Sequence, residues 1–122
     1  VNDPRGLAPV GYHVPTDVEW TVLTDYLGGV TVAGGEMKET GFCHWSSPNT
    51  DATNSSGFTG LAGGIRLLNG SFNLINNEGY WWSSSDNGAT VAWRRNLNYN
   101  TGNVARGFNN NNYGFSVRLI KD

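Results

Sequence analysis

Arginines, asparagines and aromatic rings crowd the stretch from Gly79 to Asp122, and their chemistry suits binding more than bond-making. Tyr80, Trp81, Trp82, Trp93, Arg94, Arg95, Tyr99, Arg106, Phe108 and Tyr113 stand among Asn96, Asn98, Asn100, Asn103 and the run Asn109 to Asn112. Rings give contact area at small entropic cost, and side-chain amides both donate and accept hydrogen bonds. The candidate ligand-binding residues are therefore Trp82, Arg94, Asn96, Asn98, Asn100, Arg106, Asn109, Asn111 and Tyr113, with Trp82 or Tyr113 stacking on the ligand. A plainer reading stands beside this one, because asparagine also fills turns and solvated strand faces.

Groups suited to catalysis are few. Glu36, Glu39, Asp51, Glu78 and Asp86 could supply an acid and a base, but no spacing singles out two of them. Ser83 to Ser85 lacks the glycine-flanked elbow of a hydrolase. His13 and His44 are the only histidines, too few for a histidine-triad iron site. His13 reads as structural, holding a loop into the helix that follows. Cys43 is the only cysteine, which excludes an internal disulfide and a cysteine-based zinc site. Lying between Phe42 and Trp45, it reads as a small buried apolar residue. Asn49, Asp51, Asn54, Glu78, Asp86 and Asn87 are adequate oxygen ligands, so a structural Ca²⁺ stays open, though no spaced motif marks it. The expectation is a non-enzyme without a resident cofactor.

The elements that must position these residues follow from periodicity. At 122 residues the chain fits one domain, 1–122, large enough for a core. Net charge is −2 and charged residues make up 15%, so nothing favours nucleic acid or an anionic membrane. No apolar run approaches the roughly 18 residues of a transmembrane helix, and no signal peptide or lipobox is present. The chain opens in mid-phrase at Val1 to Gly6, like an excised or mature fragment. Val1 to Pro15 reads as loop. Thr16 to Leu27 reads as the main helix, with Thr16 as N-cap, Glu19 closing a capping box, and Trp20, Leu23, Tyr26 and Leu27 as buried stripe. A second short helix is expected over Val32 to Lys38, then a long loop from Thr40 to Gly57. Strands are expected over Phe58 to Arg66, Phe72 to Leu74, Tyr80 to Ser84, Thr90 to Leu97, Asn103 to Phe108 and Gly114 to Ile120. Asn87-Gly88 and Thr101-Gly102 read as hairpin turns. Alternation puts Phe115, Val117 and Leu119 on one side, makes one of Trp81 and Trp82 core, and sets Trp93, Leu97 and Tyr99 opposite Arg94, Asn96, Asn98 and Asn100. Gly63-Gly64 is expected to permit close packing beneath the two tryptophans. Helices first, then an antiparallel meander, make an α+β domain.

Several phrases resemble a known family. Gly11-Tyr12-His13-Val14-Pro15-Thr16-Asp17-Val18-Glu19-Trp20 is similar to the opening of the Fibrobacter succinogenes major paralogous domain. The likeness continues through Ala33 to Gly41, Trp45 to Thr50, Ser56 to Thr59, Gly79 to Ser85 and Tyr113 to Arg118, in order along nearly the whole chain. The resemblance implies a C-type lectin-like fold, akin to formylglycine-generating enzymes, on secreted or surface-anchored bacterial proteins. Those enzymes need a cysteine pair near the C-terminal end, absent here. Sugar-binding C-type lectins chelate calcium with an acidic residue, proline and asparagine, and Ser47-Pro48-Asn49 is only a loose echo. Family members carry a further N-terminal segment that adds a strand beside the C-terminal one. Its apparent absence implies an open edge near Phe115 to Leu119, a route to self-association or to strand exchange with a partner chain. The asparagine scatter also resembles the stretch that diversity-generating retroelements vary in some lectin-like domains, and ordinary divergence gives the same pattern. Two functions are expected: an extracellular or cell-surface recognition module for a protein or glycan, or a structural subunit of a bacterial surface filament or adhesin.

Overall fold

Thr16 starts the main helix through reciprocal bonds. Its hydroxyl accepts from the Glu19 N–H at 3.2 Å, and its own N–H donates to Glu19 Oε2 at 2.8 Å. This capping box satisfies donors that a helix start otherwise leaves unpaired. The computed structural model describes residues 6–122, so the first five residues of the expected N-terminal loop lie outside the described residues. Within it, β1 spans Tyr12–His13, α1 spans Asp17–Tyr26 and α2 spans Ala33–Met37. β2 (Ile65–Arg66) and β3 (Phe72–Asn73) form a small hairpin, and β4 (Glu78–Asp86), β5 (Val91–Asn98) and β6 (Val104–Asn110) form an antiparallel meander. β7 (Ile120–Lys121) pairs antiparallel with β1. The architecture is a small α+β domain.

The core lies between α1, α2 and one face of the meander. Trp20, Leu27, Met37, Trp45, Ala62, Trp81, Leu97 and Val104 are buried there, with Leu23, Phe58 and Tyr99 packed against them. Both deepest tryptophans spend their N–H groups: Trp45 Nε1 donates to the Gly60 carbonyl at 2.9 Å and Trp20 Nε1 to the Trp82 carbonyl at 3.4 Å. That satisfaction is what allows an indole into an apolar interior. Trp81 is core and Trp82 half-buried, the outcome expected for neighbours on a strand.

Two buried charges tie the elements together. Arg95, 1% exposed, donates to Asp17 Oδ1 at 2.6 Å, to the Asp17 carbonyl at 3.0 Å and to Thr21 Oγ1 at 3.0 Å. Lys38, fully buried, gives its ammonium to three carbonyls: Thr50 at 2.6 Å, Thr101 at 2.9 Å and Asn98 at 3.1 Å. Those acceptors belong to the long loop and to both sides of the β5–β6 turn. Burial pushes the Lys38 amine down to about 8, with the Asp51 charge pulling the other way. Gly34 lets that turn approach α2 and Gly35 lets the long loop do so, because a Cβ on Gly34 would lie 2.3 Å from the Asn103 carbonyl oxygen and one on Gly35 2.4 Å from that of Asp51.

Several expectations change. Tyr26 is 86% exposed. Thr24 takes the buried position, because Trp20, Thr24 and Leu27 line one face of α1 while Tyr26 sits about 100° around the helix from Leu27. Of Phe58 to Arg66 only Ile65–Arg66 is strand, since Thr59 and Gly64 take left-handed backbone. Gly114 to Ile120 is not a continuous strand either. Ser116 clips onto β4, its N–H donating to the Tyr80 carbonyl at 2.9 Å and its carbonyl accepting from Trp82 at 3.1 Å. Beyond it Val117 lies on the Trp82 side, while Leu119 enters a cleft with Trp20 and Phe58. The glycine beneath a tryptophan is Gly79, where a Cβ would lie 2.5 Å from the Trp81 ring. Gly64 instead makes room for the backbone of Asn73 and Leu74. Cys43 is exposed, because Trp45 alone carries that loop inward. The N-terminal loop contains a strand, β1, which occupies the edge of β7.

His13 holds that edge. Its Nε2 meets Glu19 Oε1 at 2.9 Å and its Nδ1 meets Asp122 Oδ1 at 2.6 Å. The hydrogen bonds to Asp122 and then Glu19 raise its pKa above the ordinary 6.5. A raised folded pKa means the clip is complete below the unfolded value and fades as pH climbs through the folded one. An NMR titration of the His13 ring should therefore show a midpoint above 6.5. A midpoint at or below that value would remove the clip.

Candidate recognition face

Strand pairing decides which side chains share a face. Trp82 pairs with Arg94, Tyr80 with Asn96 and Glu78 with Asn98, while Arg94 faces Gly107 and Ala92 faces Asn109 on the third strand. Cross-strand partners project to the same side. These residues therefore form the outer face of the meander, opposite the face that Trp81, Arg95 and Leu97 turn to the core. The three strands are joined by short turns and backed by the helices, so the face is built on rigid elements.

Its centre is a cluster of rings. Phe115 stacks on Tyr80 at 4.9 Å between centroids and lies tilted against Trp82 at 4.2 Å and Tyr113 at 6.0 Å. The Arg94 guanidinium covers Tyr80 at 5.2 Å. A polar line crosses the strands beside the rings. Tyr80 donates to Glu78 Oε2 at 2.6 Å, and Asn96 donates to the same oxygen at 3.2 Å. Arg94 donates to the side-chain oxygens of Asn96 and, at 3.0 Å, Asn109. Burial first, and then the bond to Glu78, push the Tyr80 phenol up to about 12. Burial also holds the Arg94 guanidinium below its ordinary value, against the pull of Tyr80 and Glu78. Gly107 leaves space for that guanidinium, since a Cβ there would lie 2.9 Å from Arg94 Nη2.

None of the nine sequence-derived site residues is buried. Trp82, Arg94, Asn96, Asn98, Asn109 and Tyr113 lie on or beside the outer face. Asn111 follows β6 and lines a groove of about 440 Å³ with Trp82, Asp86 and Ala92. Asn100 is exposed in the β5–β6 turn, where its N–H donates to Asn98 Oδ1 at 3.2 Å. Arg106 does not join them. Its pairing with Arg95 puts it on the helix side, where it donates to Asp17 Oδ2 at 2.8 Å and stacks 3.6 Å from the Trp93 ring centroid. Alternation could place Arg106 on either side, and only the register decides. Tyr80, Phe115 and Glu78 were missed as members of this face. Tyr80 lies two residues before Trp82 on one strand, so period-two spacing carried the signal. Phe115 reaches the cluster through the Ser116 clip, which no local pattern announces.

Two of the calcium candidates spend their side-chain amides within the long loop and its flanks. Asn49 gives its amide to the Glu39 carbonyl at 3.0 Å and the Gly41 carbonyl at 2.8 Å, and Asn54 bonds Thr59. Among the described residues no three His, Cys, Asp or Glu side chains come together as a metal site.

The pairing of β1 with β7 and the helix-then-meander order set the frame for comparison. The family model of the Fibrobacter succinogenes major domain matches residues 1–121. The chain belongs to that family. No curated protein and no solved structure matches this Fibrobacter succinogenes major domain. Among its described residues no helix is long and apolar enough to cross a membrane.

Proposed function

We propose that this Fibrobacter succinogenes major domain is a non-enzymatic recognition module of the extracellular space or bacterial surface, binding a protein or glycan through the outer face of β4–β6. The observation that carries the reading is the ring cluster of Tyr80, Trp82, Tyr113 and Phe115 beside the Arg94–Asn96–Asn109 amide line, all half-buried and facing outward. Such rings supply rigid contact area, and half-exposed amides supply directional bonds at low ordering cost. The scaffold is best read as C-type lectin-like, a reading supported by the pairing of an N-terminal with a C-terminal strand and by the meander between them. The alternative, a structural subunit of a surface filament or adhesin, rests on an open edge near Phe115 to Leu119; β1 pairs only with Ile120 and Lys121, just beyond it.

A binding screen over glycans and surface proteins, run with the domain and an Arg94→Ala, Asn96→Ala, Asn98→Ala triple variant, tests the face. The triple variant should keep its circular dichroism spectrum and lose binding by at least about tenfold, as expected for several hydrogen bonds near a charge. Unchanged binding by a folded triple variant would move the site elsewhere.

A further inference from the structure

The hydrogen bonds around Arg94 are lopsided. The side-chain oxygens of Asn96 and Asn109 both accept from Arg94, and the Asn96 amide is given to Glu78. Nearby acceptors are thus turned inward, whereas Arg94 Nη2 and Asn109 Nδ2 make no hydrogen bond among the described residues. Arg95 and Arg106 share Asp17, but Arg94 has no carboxylate at ion-pair distance among the described residues. A half-buried guanidinium without a direct ion pair has its desolvation cost only partly offset, here by the nearby Glu78 charge and the Tyr80 ring, and such groups cluster at functional sites.

Next to that guanidinium the floor of the face drops away. Ala92 is the next outward residue of β5, and the groove of about 440 Å³ opens there between Trp82, Val117, Val14, Asp86 and Asn111. Phe115 covers one side of the Trp82 ring, and the ring also forms groove wall. Trp82 and Arg94 are direct cross-strand partners, which sets their Cβ atoms about 5 Å apart. The groove therefore begins within one sugar ring of a guanidinium that keeps one nitrogen, Nη2, without an acceptor among the described residues. Asp86, the cross-strand partner of Ala92, also lines the groove and supplies acceptors for hydroxyl donors.

We infer that Arg94, Asn109 and the adjoining groove form a subsite for a uronic-acid unit of an acidic polysaccharide. The carboxylate bonds Arg94 Nη2 and the Asn109 amide, the pyranose ring lies against Trp82 and Ala92, and hydroxyls point to Asp86 and Asn111. An acidic peptide fits less well, since an Asp or Glu side chain brings no ring face to lie against Trp82 and Ala92. The inference rests on the recognition reading above and names its ligand.

The test is isothermal titration of the domain with oligogalacturonate and with its methyl ester, which keeps the ring and removes the charge. The acid should bind, and the ester at least about tenfold more weakly, as for loss of a charge-assisted pair. Arg94→Gln and the groove-filling Ala92→Phe should weaken acid binding by a similar factor, while Arg106→Gln, which removes a charge on the opposite face, leaves it within about twofold. Thermal melts confirm that each variant is folded. Equal binding of acid and ester, or of wild type and a folded Arg94→Gln, overturns the subsite. Absence of oligogalacturonate binding also overturns it, as would preference for an acidic peptide, and the recognition face survives if the screen returns another ligand that the triple variant loses. An empty screen sinks both.

Discussion

Replacing Asp17 with alanine should lower unfolding stability by about 3–5 kcal/mol, the usual consequence of stranding a buried charge. Arg95 is 1% exposed, and its guanidinium has Asp17 as its only ion-pair partner among the described residues. Urea unfolding would read the loss directly. The double change Asp17→Asn with Arg95→Met should cost much less, because it removes both charges and nearly keeps the volume. Asp17 also sets the acid limb. Its partial burial would raise its pKa, but hydrogen bonds from Arg106 and Arg95 outweigh that and hold the carboxyl below the usual 3.8. A depressed folded value means that this stabilisation is complete above the unfolded pKa and is lost as pH falls through the folded one. An Asp17→Ala variant whose stability matched wild type at neutral pH would refute the assignment.

The second large effect is at Lys38. Lys38→Met keeps an unbranched apolar stem and removes a donor that three carbonyls share. Buried acceptors left unsatisfied cost roughly 1–3 kcal/mol each, partly offset because the amine need no longer be desolvated. A net loss of about 3 kcal/mol is expected. Hydrogen exchange should show it first at amides near Thr50 and Thr101, which the ammonium joins across the β5–β6 turn. Loss spread evenly over the molecule would show that Lys38 merely fills space.

Much of this was legible in the residues. The capping box announced α1 to within a residue at each end, because Thr16 and Glu19 act locally. The meander was legible through its turns, Asn87-Gly88 and Thr101-Gly102, and through the alternation of β5. What local pattern could not carry was register and long-range clips. Arg106 looked equivalent to Arg94, and its pairing with Arg95 sends it to Asp17 instead. Cys43 looked like core beside Phe42 and Trp45, yet only Trp45 had a carbonyl waiting inside. Lys38 gave no sign of burial, since its three acceptors are 12, 60 and 63 residues away along the chain. Tyr26 fitted a three-to-four spacing from Leu23, but the buried face of α1 runs through Trp20, Thr24 and Leu27 and turns Tyr26 to solvent. Phe115 joined the ring cluster through a bridge at Ser116, a contact that depends on how the C-terminal segment crosses β4.

A nuclear magnetic resonance titration with whichever molecule the screen returns goes straight to where it sits. Indole N–H of Trp82 and carboxamide signals of Asn96, Asn98 and Asn109 should move together, while Trp20 and Trp45 stay still. Movement confined to the helices, or to the β2–β3 hairpin, would contradict the account.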